Sequence, residues 1–349
     1  MNKQITKRQH YVPRKYLRKW ANSDLICMKR EKEDCITVNI MNVAQERFFY
    51  RLPVLRFVEL KFAIEYLEEH PDCLFDNLEL YVSSVILGPI LYSYGKGEYN
   101  EFDQVVDYLT QRNILTNADF VRHLKELKLV VLPSETLEQN EDFKEIEQDT
   151  IMTEERINCD VENSVWPYLE CAYSNDLSFF ETQDGFEKMT LYLIHQLFRT
   201  PKFLELSKDT KLKSAFGEDG CKRILKALRL PLVSCIHSHI VSRQKDFNLY
   251  LMDNSTNLEF ITGDQPVVNL DSARPVTDFD IYFPISPTKA LFFCKKTRFD
   301  TIYSWTQELT RERVNSLNIK ICESSFKQIY ASNERIIKER NYFSYGIID

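Results

Sequence analysis

Hydrophobic and polar positions follow three rhythms along this chain. Near the N-terminus, Leu25-Ile26-Cys27-Met28 and Cys35-Ile36-Thr37-Val38-Asn39-Ile40 are short β-prone runs. The charged stretch Lys29-Arg30-Glu31-Lys32-Glu33-Asp34 separates them, so the pattern predicts a hairpin. Asn42 to Tyr50 reads as a connection ending on Phe48, Phe49 and Tyr50. From Val54 to Val241 the period becomes helical. Phe57, Leu60, Ile64 and Leu67 keep one face, as do Phe102, Val105, Val106 and Leu109, and later Leu191, Ile194, His195 and Phe198. Tyr81 to Tyr94 reads as a buried helix, and Asn117-Ala118-Asp119 starts another that runs to Leu129. Pro133-Ser134 opens an acidic segment, and Glu135 to Glu162 reads as a solvated helix or a partly mobile connection, with the helix favoured.

The last hundred residues or so return to period two. Asn248 to Met252, Leu258 to Thr262, Val267 to Leu270, Asp280 to Phe283 and Ala290 to Cys294 are strand-like. Asp253-Asn254-Ser255, Gly263-Asp264-Gln265-Pro266 and Pro284-Ile285-Ser286-Pro287 supply turn chemistry between them. A helix from Thr306 to Glu323 and a closing strand at Gln328 to Ala331 follow. The expected class is α+β, with a mixed or antiparallel sheet built from N- and C-terminal strands and a large helical insertion packed against it. Strands at both ends of the chain predict one domain: residues 1–53 an arm and hairpin, 54–246 helical, 247–332 β-rich with a closing helix.

Composition narrows the function classes. Only 8 of 349 residues are Gly, and Gly95-Lys96-Gly97 lacks the strand-before, helix-after context of a phosphate loop. No apolar run approaches the roughly 20 residues of a membrane span, and Met1 to Arg8 is polar and basic with no apolar stretch behind it, so the expectation is a cytoplasmic protein without a signal peptide or a membrane. Nine widely spaced cysteines with no Cys-x-x-Cys pair argue against a zinc ribbon and a disulfide framework, and predict reduced thiols. The net charge of −7 is unevenly spread. Lys3, Lys7, Arg8, Arg14, Lys15, Arg18 and Lys19 crowd the first twenty residues, whereas Glu135 to Asp184 is strongly acidic. That excludes a uniformly basic nucleic-acid-coating surface and leaves room for a local basic mouth.

Gln9-His10-Tyr11-Val12-Pro13 followed by Tyr16-Leu17-Arg18-Lys19-Trp20 resembles the opening motif of the family catalogued as domain of unknown function 4238 (DUF4238), with Trp20 where Phe is usual. Leu197-Phe198-Arg199-Thr200-Pro201, Phe260 to Val267, Phe283 to Pro287 and Asn315 to Glu323 match its later elements in order, with Gly263 where Ser is common. The family has no assigned reaction, so the resemblance implies positions rather than chemistry: His10, Arg199, Asp264 and Asn318 stand at motif sites. Its scattered distribution implies bacterial defence against viruses as a context.

The residues themselves leave two readings open. In the first, the chain is a nuclease-like hydrolase of a phosphodiester or nucleotide. His10 and Asp264 are its catalytic residues, Gln9, Arg14, Arg199 and Asn318 hold the substrate, and a divalent metal is admitted as cofactor, with its ligands unassigned. An Arg fork suits phosphate, and His10 sits before a proline-stiffened turn. A carboxylate at a strand corner suits a metal or a proton. The partner would be nucleic acid or nucleotide. Two departures count against it: no second His closes a His-Asn-His motif, and Asp280-Ile281-Tyr282 lacks the Lys of a restriction-type core. In the second reading, the same residues form a buried polar network in a non-enzymatic binding module.

Overall fold

The computed structural model describes residues 5–31, 33–71, 78–118, 121–122, 124, 126, 141–205, 211–271, 278–298 and 309–338. The chain divides into two compact units interleaved along the sequence. The first comprises Met1–Lys7, Tyr50–Asn158 and Leu204–Cys235, and the second Arg8–Phe49, Cys159–Phe203 and Ile236–Asp349.

The first unit is helical. In helix Phe57–Glu69, Leu60, Ala63, Ile64 and Leu67 are buried, and in helix Phe102–Gln111 so are Phe102, Val105, Val106 and Leu109. Both faces enter one apolar core with Ile86, Ile90 and Ile224. The expected helix over Tyr81 to Tyr94 is present but widens into a π-type turn over Val82–Leu87. Gly88 and then Pro89 follow that turn. Its ring has no N–H and crowds the preceding carbonyls, a conflict that a wider turn relieves.

Helix Glu141–Tyr173 confirms the described part of the acidic helix; residues 127–140, including Pro133-Ser134, lie outside the described residues. Thr150, Glu154 and Asn158 recur one turn apart on this helix and are buried. Arg229 meets Glu154 with Nη2 donating at 2.7 Å, and both side chains are under a tenth exposed. The helix that supplies Arg229, Leu212–Val241, is broken by Gly217 at φ 69° and contains Pro231. Among the described residues it is the one helix long and apolar enough to cross a membrane, and 56% of its apolar window is buried inside the protein, as in a core helix.

The second unit carries three antiparallel sheets where one was expected. Strands β1 (Arg8–His10) and β4 (Gln45–Arg47) form a two-stranded ribbon. Strands β2 (Leu25–Arg30) and β3 (Ile36–Asn39) join β10 (Gln328–Ala331) and β6 (Thr262–Gly263) in the order β3-β2-β10-β6. This sheet does combine N- and C-terminal strands. The third is wholly C-terminal: β5 (Phe247–Asp253), β9 (Lys289–Lys295), β8 (Ile281–Ser286) and β7 (Val268–Asn269), in the order β5-β9-β8-β7. Helix Gln183–Phe198 packs here, with Tyr192 beside Phe283 at 5.9 Å.

The predicted strand Leu258 to Thr262 shrinks to β6 for a specific reason. Its backbone bonds go to side chains and a loop instead of a ladder. Asn318 Oδ1 accepts the Ile261 N–H at 3.0 Å, and Asn318 Nδ2 donates to Glu259 O at 2.9 Å. Phe260 N–H donates to Pro287 O at 2.8 Å, while Phe260 O accepts Trp20 Nε1–H at 3.0 Å. These partners take the place of a neighbouring strand over Glu259 to Ile261.

The Glu154–Arg229 pair should show the asymmetry of a buried ion pair. Arg229→Met alone strands a buried carboxylate and is expected to cost about 3–5 kcal/mol in denaturant unfolding, whereas adding Glu154→Leu to it should recover most of the loss.

Candidate functional site

The sequence motifs converge in the second unit, on one connected set of buried polar contacts. Gln9 and His10 lie on β1, and Tyr11 N–H extends the ribbon by donating to Ala44 O at 3.0 Å. Pro13 then starts the short helix Arg14–Leu17. That helix aims Tyr16 inward, where its hydroxyl donates to Pro284 O at 2.7 Å and pairs with Thr262 Oγ1 at 2.6 Å. The Tyr16 ring also stacks on Phe283 at 5.1 Å. One side chain of the first motif therefore touches the third and fourth.

Arg199 ties the second motif to the first. It caps helix Gln183–Phe198 and is 2% exposed. Nη1 donates to Glu162 Oε1 at 2.6 Å, and Nη2 donates to the His10 carbonyl at 2.9 Å. Its acid partner lies on a helix, not on the sheet. Thr200 hydrogen-bonds the Gln265 carboxamide oxygen, and Gln265 Nε2 donates to Val267 O at 2.7 Å.

Asp264 is fully buried. Its Oδ1 accepts Phe326 N–H at 2.7 Å, and Oδ2 accepts Lys327 N–H at 2.8 Å and Gln328 N–H at 2.9 Å. Its own N–H donates to Gln328 O at 2.9 Å. Burial pushes this carboxyl up to about 6, against the pull of the backbone amides. A divalent ion does not fit here, because binding one would take the oxygens from their amides. Among the described residues, no group of three or more His, Cys, Asp or Glu side chains gathers as metal ligands. The neighbouring Gly263 is required by packing. A Cβ there would run into Ser325 Oγ, which is committed to Ile321 O at 2.7 Å.

His10 is half-buried, and its ring hydrogen-bonds backbone at Met41 and Ile40. Burial first, then the positive charges of Arg14 and Arg199, lower its pKa to about 4. The imidazole is neutral at physiological pH. Arg14 is exposed beside it. Other members of the basic N-terminal cluster engage neighbours while Lys7, Arg8, Lys15 and Arg18 stay exposed. Lys15 lies over Trp166 at 3.9 Å, Lys19 lies over Tyr173 at 3.6 Å, and Arg18 pairs with Asp24 at 3.1 Å.

Of the six proposed site residues, His10 and Arg199 meet through the His10 main chain, with Arg14 close enough to act on the ring. Asp264 and Asn318 are occupied by backbone groups, and Gln9 is fully buried. Sequence reasoning missed Glu162 and Gln196. Glu162 lay hidden in an acidic tract, although it extends the one-turn spacing of Thr150, Glu154 and Asn158. Gln196 is fully buried one turn before Thr200, and no described residue hydrogen-bonds its amide.

Two measurements follow from these contacts. Unfolded histidine titrates near 6.5 and folded His10 near 4, so between those values the unfolded chain binds the extra proton. The stability held in neutral His10 is complete above about pH 6.5 and lost as pH falls towards 4. A melting curve taken from pH 7 to pH 4 should fall less steeply in His10→Gln than in the wild type. Asp264→Ala leaves three backbone amides without their acceptor and should cost about 3 kcal/mol or more in chemical denaturation.

No curated protein and no solved structure matches the chain. A family model described as "Protein of unknown function (DUF4238)" matches residues 8–87 and 178–335, spans that hold all of these motifs. With more than half of its length so matched, the chain belongs to the DUF4238 family.

Proposed function

We propose that this chain is a non-enzymatic binding or interaction module whose polar motifs form a structural network. One observation carries the reading: both carboxylate oxygens of Asp264 are directed at three consecutive backbone N–H groups, away from solvent. Arg199 and Asn318 are committed in the same way. A general base or metal ligand needs a lone pair facing its substrate, and a phosphate clamp needs unspent donors. Recognition then falls to the surface. Leu25, Ile36 and Met41 are 46%, 47% and 53% exposed on the N-terminal hairpin and the turn after it. Exposed apolar side chains on both faces of this hairpin and on its turn would offer contact points to another protein.

A second reading is favoured by one feature. His10 is neutral and half-buried beside exposed Arg14, a base next to a cation that could receive a phosphate oxygen. On this reading the chain is a cytoplasmic phosphodiester- or nucleotide-directed hydrolase, with viral defence as its setting. His10 and Arg14 would do the work, and Asp264 would hold the corner.

Thermal unfolding and hydrolysis of bis(p-nitrophenyl) phosphate, with and without Mg²⁺, separate the two. The module reading expects Asp264→Ala and Arg199→Ala to melt several degrees lower, with no hydrolysis from any form of the protein. Hydrolysis by the wild type that His10→Ala and Arg14→Ala abolish, at unchanged melting temperature, would overturn it in favour of the second reading.

A further inference from the structure

Cys27 and Cys35 are joined across the β2–β3 hairpin, eight residues apart in sequence, where the spacing of nine cysteines had argued for reduced thiols. Cys27 is buried in the middle of β2, opposite Thr37 on β3 and Ala331 on β10. Cys35 is half-buried and immediately precedes β3. The order β3-β2-β10-β6 makes β3 an edge strand, paired with β2 on one side and joined to it by this bond. A short strand paired on one side frays readily.

That strand leads straight into the turn that supports His10. Asn39 ends β3, and its Oδ1 accepts Met41 N–H at 2.9 Å to cap the turn Ile40–Asn42. Ile40 N–H donates to Asp24 O at 2.9 Å, closing the turn onto the start of β2. The backbone of Met41 and Ile40 is what the His10 ring hydrogen-bonds. The bond at one end of β3 and the His10 support at the other are therefore in mechanical series.

We propose that the Cys27–Cys35 disulfide is a reversible thiol switch that orders β3 and, through the Ile40–Asn42 turn, the surroundings of His10. The reagent is a small thiol and its disulfide. A small-molecule thiolate attacks the more accessible Cys35 Sγ, the Sγ–Sγ bond breaks, and Cys27 leaves as a thiolate that takes up a proton. A second thiolate then attacks the sulfur of the small molecule in the mixed disulfide at Cys35, and Cys35 leaves as a thiolate that takes up a proton. Two thiols on the protein and one small-molecule disulfide result, so two electrons and two protons enter the chain. Oxidation runs the same steps in reverse. The switch stands on either reading of function, since it concerns the support of His10 and not its role.

The test uses the full chain equilibrated with reduced or oxidised glutathione. Alkylation in denaturant followed by mass measurement should find nine modified thiols after reduction and two fewer after oxidation. In the reduced protein, amide exchange across Ile36–Met41 should quicken by about tenfold or more. The His10 imidazole, assigned in NMR spectra by its loss in His10→Gln, should titrate about one unit or more closer to the ordinary value. The double variant Cys27→Ser/Cys35→Ser should resemble the reduced protein in both buffers. If it does not fold, the wild-type comparison decides alone. Nine alkylated thiols in both buffers would overturn the proposal. So would a disulfide whose reduction leaves the exchange of Ile36–Met41 and the His10 titration unchanged.

Discussion

The second unit depends on the grip of Asp264 on the start of β10. Three consecutive N–H groups, from Phe326 to Gln328, lie at the junction where the chain leaves helix Arg311–Ser324 and enters the strand. No ladder partner takes the first two of them. A buried carboxylate is the one side chain with lone pairs enough to satisfy all three at once. The grip fixes where β10 begins, and β10 pairs with both β2 and β6. Through β2 it bears on the register of the N-terminal hairpin, so one residue from the C-terminal half helps place β2 and β3.

Burial and hydrogen bonding oppose each other at this residue. Desolvation is the larger influence and raises the carboxyl to about 6, while the amides pull it down. At His10 burial again outweighs the backbone hydrogen bonds, and for a base, with two arginines adding to it, the shift is downward. Asp264 binds its proton more tightly folded than unfolded, so its contribution is full below about pH 4 and shrinks as pH rises through 6. His10 contributes most above about pH 6.5. The two run against each other between these limits. Their sum is nearly flat between about pH 4 and 6, with a small gain as His10 completes its contribution towards pH 6.5.

Regular elements were legible in the sequence wherever side-chain periodicity alone decided them. The helical faces at Phe57 to Leu67 and at Phe102 to Leu109, and the strands at Phe247–Asp253 and Lys289–Lys295, follow their spacing closely. Failures occur where partners distant in sequence intervene. Arg8–His10 looks like a lead-in until Gln45–Arg47 pairs with it. Leu258 to Ile261 has strand composition, but Asn318 and Trp20 take its backbone bonds. The Cys27–Cys35 bond escaped because wide, irregular spacing carries no information about two residues that a hairpin folds back on each other. At the candidate site the motif positions were readable, but their roles were not. His, Arg, Asp and Asn are the residue types of catalysis, and equally those best able to satisfy buried backbone.

That ambiguity can be resolved by counting lone pairs and N–H groups instead of residue types. Both Asp264 oxygens accept, Asn318 uses its carbonyl and its amide, and Arg199 divides its fork between Glu162 and the His10 main chain. These side chains spend their polar capacity inside the fold. His10 differs in part: its ring leans on the backbone of Ile40 and Met41, and the residue is half-buried next to exposed Arg14, although its Nε2 is buried. The histidine that opens the first motif is thus held by the same network that consumes its companions. A function at this face, whether recognition or proton transfer, would inherit its geometry from the turn beneath the ring. The short hairpin carrying that turn, and not the deeper carboxylate, is where the fold can be adjusted without being dismantled.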